Sequence, residues 1–279
     1  MENRSNKPAR PKNKEDIWNG IRIEPVWPKS KEDIRSEIKS KPVRSESKEF
    51  PEHPGKQRNI KRIVLWSCAA GLLIPVLLIC HSYTVTEETA RGQLATVRLP
   101  DNSTVTLNAE SRISYQPCIW LFSRKVKLNG EANFDVKRGR RFSVQSGGNR
   151  VNVLGTTFNV YDRPGVYRVT CLTGQVEVHA GGEAVVLNSN MQAVFQKPKF
   201  IVSNDVTPAT VTGWMQGWFV FSQTPLQEVI AEVERQYNIH VTPGYNPNLL
   251  YSGKFSKTEK PEEILDIIGT PFGITFGIE

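Results

Sequence analysis

The chain has 279 residues, a formal net charge of +8 and only four cysteines. Nearly all of the charge sits in residues 1–62, with 17 Lys+Arg against 10 Asp+Glu, whereas residues 84–279 hold 19 against 18. A basic excess confined to one tail gives no support to a direct nucleic-acid partner; it fits membrane topology and attraction to anionic lipid.

Residues 1–59 are rich in Lys, Glu, Ser and Pro and poor in large apolar residues. Alone they cannot bury enough surface to offset chain entropy, which predicts a basic, largely disordered segment over 1–62. One pattern recurs in it. Lys14-Glu15-Asp16-Ile17-Trp18-Asn19-Gly20-Ile21 returns 17 residues on as Lys31-Glu32-Asp33-Ile34-Arg35-Ser36-Glu37-Ile38. Each copy reads as a turn or two of helix, acidic at its start, with Ile spaced i, i+4. Ser30 is placed to cap the second copy. Trp18, Ile21, Ile34 and Ile38 are candidate anchors for a partner's groove; a solvated linker with chance similarity is the alternative.

Ile63 to Ile79 is 17 residues without a charge, with Arg58, Lys61 and Arg62 just before it. A hydrocarbon core of about 30 Å takes about 17–25 apolar residues as a helix. Cys80, His81, Ser82 and Tyr83 extend the run toward an interface that suits Tyr, and membrane helices tolerate a Pro such as Pro75. The expectation is one transmembrane helix over 63–83, with the basic amino-terminal side cytoplasmic and the 196 residues after Tyr83 on the far side. A signal peptide would start far closer to the amino terminus.

From Ala95 the pattern becomes period two, with alternating runs at 95–99, 104–107, 126–128, 134–136, 142–144, 151–154, 157–161, 167–170, 176–178 and 184–187. Turn residues punctuate them: Pro100-Asp101-Asn102-Ser103, Asn129-Gly130, Arg138-Gly139, Gly147-Gly148, Arg163-Pro164-Gly165, Thr173-Gly174 and Gly181-Gly182. Even spacing of short strands predicts a sandwich, barrel or solenoid. Val153, Leu154, Phe158 and Val160 read as core, Gly155 as a backbone requirement, and Asp135 and Asn159 as turn-bonding groups. Cys118 and Cys171 are the two far-side cysteines, either a disulfide pair or two separate thiols.

Leu99-Pro-Asp-Asn-Ser-Thr-Val-Thr-Leu-Asn-Ala-Glu-Ser-Arg-Ile-Ser-Tyr115 resembles the opening block of the FecR-family periplasmic domain. Gly130-Glu-Ala-Asn-Phe-Asp-Val136, Val151-Asn-Val-Leu-Gly-Thr-Thr-Phe-Asn-Val160 and Val169-Thr-Cys-Leu-Thr-Gly-Gln-Val-Glu-Val178 resemble its later blocks, in order. The resemblance implies a twisted β-solenoid-like periplasmic domain, here over 84–205, in a single-pass inner-membrane regulator of an extracytoplasmic-function sigma factor. Asn102 and Asn133 depart from the usual family residues.

Residues 206–217 read as a linker. Its end and the next strand carry Trp214, Met215 and Trp218, read as a wedge between domains or as part of a partner surface. Over 218–279, Trp218-Phe-Val-Phe reads as a strand and Thr224-Pro225-Leu226-Gln227 as a cap, with Leu226, Val229, Ile230, Val233 and Tyr237 on one helical stripe. Asn238 closes that helix and 239–241 is a strand. Phe221-Ser-Gln-Thr224 then echoes Phe255-Ser-Lys-Thr258, Pro261 opens a second helix through Ile264, Leu265, Ile267 and Ile268, and 274–278 is its closing strand. Two βαβ halves predict a small α+β module, similar to the FecR carboxy-terminal domain and to STN modules.

No G-x-S-x-G, H-E-x-x-H, Walker A or C-x-x-C occurs, and His53, His81, His179 and His240 are scattered. No enzyme, metal site or cofactor is expected. The resemblance implies two partners: a sigma factor on the cytoplasmic side, and the signalling domain of a TonB-dependent outer-membrane transporter meeting the carboxy-terminal module. Family members commonly carry a folded helical anti-sigma domain before the span. Residues 1–62 are too poor in apolar residues for one, so binding would require folding on contact. A membrane-tethered envelope scaffold that assembles through the STN-like module is the alternative reading.

Overall fold

The computed structural model describes residues 82–242 and 244–279, together with Gly71, Pro75, Leu78 and Cys80. Trp18, Ile21, Ile34, Ile38 and most of the expected span lie outside the described residues. Among those described, no helix is long and apolar enough to cross a membrane.

Thirteen strands form the first domain: β1 (Val85–Thr89), β2 (Ala95–Arg98), β3 (Thr104–Leu107), β4 (Ser111–Tyr115), β5 (Arg124–Asp135), β6 (Phe142–Ser146), β7 (Asn149–Val153), β8 (Thr157–Arg163), β9 (Val166–Thr173), β10 (Gln175–Ala180), β11 (Glu183–Asn188), β12 (Met191–Gln196) and β13 (Lys199–Ser203). β5 organises them. Its first half pairs with β4 and β6, its second half with β3 and β8. The sheet therefore folds into two layers that share β5. One runs β1-β4-β5-β6-β7-β10-β11 and the other β2-β3-β5-β8-β9-β12-β13. Expected strands 126–128 and 134–136 are thus one strand, and Asn129-Gly130 is its bend rather than a hairpin turn. Gly130 has φ +102, and a Cβ there would stand 2.6 Å from Ser111 Oγ.

The mainly β character is as the alternation requires. The winding differs from a solenoid, in which successive strands stack in parallel. In this sheet β5 with β6 is parallel and the other pairings are antiparallel. Between the layers lies one core. Val126, Val144, Val151, Val178 and Leu187 come from the first layer, and Val105, Phe134, Phe158, Val169 and Phe195 from the second. Phe134 and Phe158 stack with centroids 5.0 Å apart. Leu154, expected in the core, is instead 63% exposed, because the chain leaves β7 one residue earlier. Cys171 is buried and Cys118 exposed, both as free thiols. Burial pushes the Cys171 thiol up to about 11.

Gly155 has a close neighbour. An added Cβ would lie 2.6 Å from Arg138 Cα, at a point where Gly139 N bonds Leu154 O at 2.8 Å. Backbone cannot yield there as a side-chain tip would. Gly155→Ala should cost about 1–3 kcal/mol, read as a lower urea midpoint with unchanged slope.

The second module follows α1 (Pro208–Thr212) and a 3-10 turn at Gly213–Gln216. It consists of β14 (Trp218–Pro225), α2 (Leu226–Tyr237), β15 (Leu250–Ser256) and α3 (Pro261–Gly269). The repeat legible in the sequence is a strand leading into a helix, twice, with the two strands paired antiparallel and Phe219 opposite Phe255. The expected closing strands are reduced. They meet through a bridge between Val241 and Ile278 and flanking bonds Thr242 N to Gly277 O and Glu279 N to His240 O. Thr224 lies in β14, and the helix is capped one residue later at Pro225, without a side-chain cap bond.

Candidate functional site

The outer face of the second layer is polar, and it is covered. β5 alternates buried and exposed as far as Asn129, then is buried on both faces from Gly130 to Phe134. Alternation puts Glu131 and Asn133 outward, Tyr161 and Asn159 beside them on β8, then Arg168 and Thr170 on β9, and Val194 and Gln192 on β12. These form two cross-strand rows. Helix α2 lies over them with Glu228, Glu232, Arg235 and Gln236. Their spacing of i, i+4, i+7 and i+8 makes a second stripe beside the apolar one of Leu226, Val229, Ile230 and Val233, which fills the module's own core.

Asn108, at the end of β3, bridges the two carboxylates. Its Nδ2 donates to Glu131 Oε2 at 2.7 Å and to Glu232 Oε1 at 3.2 Å. Gln236 Nε2 donates to Asn108 Oδ1 at 2.7 Å and to Glu232 Oε1 at 2.8 Å. Asn159 Nδ2 donates to Glu131 Oε1 at 2.8 Å. Arg235 Nη2 reaches Glu232 Oε2 at 2.7 Å and Tyr161 OH at 3.4 Å. Glu131, Asn108, Glu232, Arg235 and Gln236 are all buried. At the rim, Arg168 Nη2 holds Glu228 Oε1 at 2.7 Å and its guanidinium lies over the Tyr161 ring. Two bonds at Gly92 close the other side: Gly92 N donates to Arg235 O at 2.7 Å, and the Lys257 side-chain Nζ donates to Gly92 O at 2.8 Å.

Two carboxylates in one buried cluster cannot both ionise cheaply. Burial, with the negative charge of Glu232 added, pushes Glu131 up to about 7. Burial acts on Glu232 in the same direction, but Arg235, Gln236 and Arg163 together outweigh it and hold that carboxyl below its ordinary value. The proton therefore belongs on Glu131, and the anion on Glu232.

Beside this cluster is a cleft of about 350 Å³ between the two domains. Glu131, Asn159, Tyr161, Arg168, Thr170 and Gln192 form its floor; Trp214, Trp218 and the rest of β14 form a wall. Two buried polar atoms beside it, Asn159 Oδ1 and Trp214 Nε1, have no protein hydrogen-bond partner among the described residues. Trp214 is buried in the module's core and Met215 packs against that core. Trp218 is 43% exposed, with Lys254 Nζ 4.3 Å from its ring centroid. The structure thus brings Trp214 and Trp218 to one wall and sets Met215 behind it. Asn159, read as a turn-bonding residue, is part of the buried cluster, and Asp135 bonds Lys137 at 2.8 Å. Glu131, Glu232, Arg235 and Gln236 were not anticipated. Their one signal in the sequence is the second, polar stripe of α2. Among the described residues no group of His, Cys, Asp and Glu could hold a metal ion.

A β-domain joined through a buried polar seam to a strand–helix repeat module defines a two-domain architecture. The FecR protein family matches residues 85–177 and its C-terminal domain family matches residues 218–279; the chain belongs to the FecR family. It is similar to a crystal structure, at 2.50 Å, of a candidate anti-sigma factor from Parabacteroides distasonis. Identity is 28% and the TM-score 0.65, over 71% of this chain and 95% of that one. A second crystal structure with the same description, at 1.65 Å, gives 28% identity and a TM-score of 0.64 over 70% and 98%. No curated protein matches the chain. Family and structural neighbours together support an anti-sigma regulatory role.

Proposed function

We propose that this chain is an inner-membrane relay between a TonB-dependent outer-membrane transporter and a cytoplasmic extracytoplasmic-function sigma factor. The observation that carries this reading is the pair of FecR domains in one chain, on a fold shared with candidate anti-sigma factors. The uncharged Ile63–Ile79 run would cross the membrane, with residues 1–62 cytoplasmic and the two domains periplasmic. The transporter's signalling domain would meet the carboxy-terminal module. Among the described residues β14 pairs with β15 alone, so its other edge is open along the cleft, with Trp218 at its start. An extended segment can add to such an edge.

On the cytoplasmic side, a 62-residue tail with few apolar residues binds through a short segment that orders on contact. Trp18, Ile21, Ile34 and Ile38 are its anchors in this reading. Losing a buried aromatic anchor costs more than ~2 kcal/mol, over tenfold in affinity. In a pulldown of residues 1–62 with an extracytoplasmic-function sigma factor from the same genome, Trp18→Ala with Ile34→Ala should lose at least that much. Neutralising Lys39 and Lys41 should lose far less. Equal losses would mean a merely electrostatic tail. No binding by the intact tail would leave the scaffold reading, with the carboxy-terminal module as the working interface.

A further inference from the structure

One end of the β-domain carries a surface that the regulatory reading leaves unused. β1 begins at Val85, two residues beyond Tyr83, and Val85 pairs with Tyr115, the last residue of β4. The loop after β4 therefore lies at the end of the sheet where the chain arrives from the Ile63–Ile79 run. Cys80 lies beside this loop, and its proximity raises the Cys118 thiol above its ordinary value.

The loop is built to present apolar groups outward. Trp120 is buried and packs edge-on against Tyr115 and Phe142, with centroids 5.7 Å and 5.9 Å away. Phe122 N and Ser123 N both bond Ile119 O at 2.9 Å. With the turn fixed in this way, the next two side chains are thrown into solvent: Leu121 is 81% exposed and Phe122 84%. Adjacent large apolar side chains on an ordered tip are unusual in water and mark a contact surface.

Basic residues flank the tip. β5 and β6 run parallel, with Arg124 opposite Phe142, so the segment before β6 emerges at the same end. That segment is Lys137-Arg138-Gly139-Arg140-Arg141, and all five residues are exposed. Arg124 fastens it to the start of β5, donating to Arg140 O at 2.6 Å and Lys137 O at 2.9 Å. The nearby acid Asp101 is taken up by Arg124 itself. Lys137 is held by Asp135, and Arg141 has one loose ion pair with Glu177 at 3.5 Å. Arg138, Arg140, Arg141 and the exposed Lys125 thus lie at the same end of the sheet as the two apolar side chains, the end nearest the span. A fixed apolar tip with cations at the same end of the sheet matches the boundary between anionic headgroups and acyl chains.

We propose that this end of the domain is a membrane foot: Leu121 and Phe122 sink into the bilayer interface and Arg138, Arg140 and Arg141 hold anionic phospholipid headgroups. The bilayer is the one the chain crosses, so the proposal rests on the reading of Ile63–Ile79 as a span. Its consequence is orientation. The foot fixes the β-domain against the membrane and leaves the carboxy-terminal module as the part that a partner can move.

The test uses the full chain, with Cys68, Cys80 and Cys118 changed to Ser and the buried Cys171 kept. It is reconstituted in vesicles of phosphatidylethanolamine and phosphatidylglycerol. Spin labels are placed singly at Phe122→Cys, at Leu73→Cys within the span, and at Val186→Cys, an exposed position on β11. The expected result is that the Phe122 and Leu73 labels are relaxed more by oxygen than by a water-soluble nickel chelate, and the Val186 label the reverse. Arg138→Gln, Arg140→Gln and Arg141→Gln together should shift the Phe122 label toward the aqueous relaxant and leave the Leu73 label unchanged. A Phe122 label as water-accessible as that at Val186, with Leu73 in lipid, overturns the foot and leaves the span intact. A Leu73 label in water overturns the span; with it, a Phe122 label in lipid still supports the foot, and one in water overturns both.

Discussion

Glu232→Ala should release the carboxy-terminal module from the β-domain. Arg235 would then be a buried cation without its carboxylate, and removing one partner of a buried pair costs about 3–5 kcal/mol. Both side chains are under a tenth exposed, so little of that is screened. The loss falls on the seam, not on either core, because Leu226, Val229, Ile230 and Val233 face the other way. Urea unfolding followed by Trp fluorescence should therefore split, with an early transition as Trp214 and Trp218 change surroundings. Two companions sharpen the expectation. Glu228→Ala breaks only the rim pair with Arg168 and should cost about 1 kcal/mol or less. Glu232→Ala with Arg235→Met removes the stranded charge and should recover most of the loss. A single transition near the parent midpoint for Glu232→Ala alone would show that the seam does not hold the domains together.

What the sequence disclosed follows from which residues face a core. Val126, Val144, Val169 and Val178 alternate with polar neighbours, and their strands were legible for that reason. β1, Val-Thr-Glu-Glu-Thr, buries only Thr89, and β13 buries none of its residues, so neither carries an alternating apolar signal. β5 was divided because Asn-Gly between two alternating runs is the commonest hairpin signal. Here the strand on either side of Gly130 pairs with different neighbours, so the same dipeptide bends a continuous strand. The seam was hidden for a related reason. Glu131, Asn133, Asn159 and Thr170 occupy positions that normally face water, and period two identifies the face without saying what covers it. The covering helix is about 60 to 100 residues further along the chain, and only its second stripe, Glu228, Glu232, Arg235 and Gln236, hinted at a second contact.

The protonated state of Glu131 makes a pH signature that separates this seam from an ordinary one. Its carboxyl is raised from 4.5 to about 7 in the folded chain, by burial first and by Glu232 second. The folded state therefore holds a proton that the unfolded state has released between these two values. Where the folded state binds more protons, stability falls as pH rises. The contribution is full below about pH 4.5 and is lost by the time pH passes about 7, a span of about 3 kcal/mol at 1.36 kcal/mol per unit. Glu232 acts in the opposite sense but in a different window: its lowered carboxyl stabilises above the ordinary carboxylate range and fails only as the pH falls below it. Between pH 5 and 7, then, Glu131 dominates the seam. Glu131→Gln places a neutral amide where the protonated acid sits, and a turned Asn159, whose Oδ1 is otherwise unpartnered, can accept its new N–H. The variant should match the parent near pH 5, exceed it by up to about 3 kcal/mol at pH 8, and show a flat profile between. The measurement is the midpoint of the seam transition across that range. A Glu131→Gln profile with the parent's slope would place the titrating group elsewhere and would leave Glu131 ionised beside Glu232.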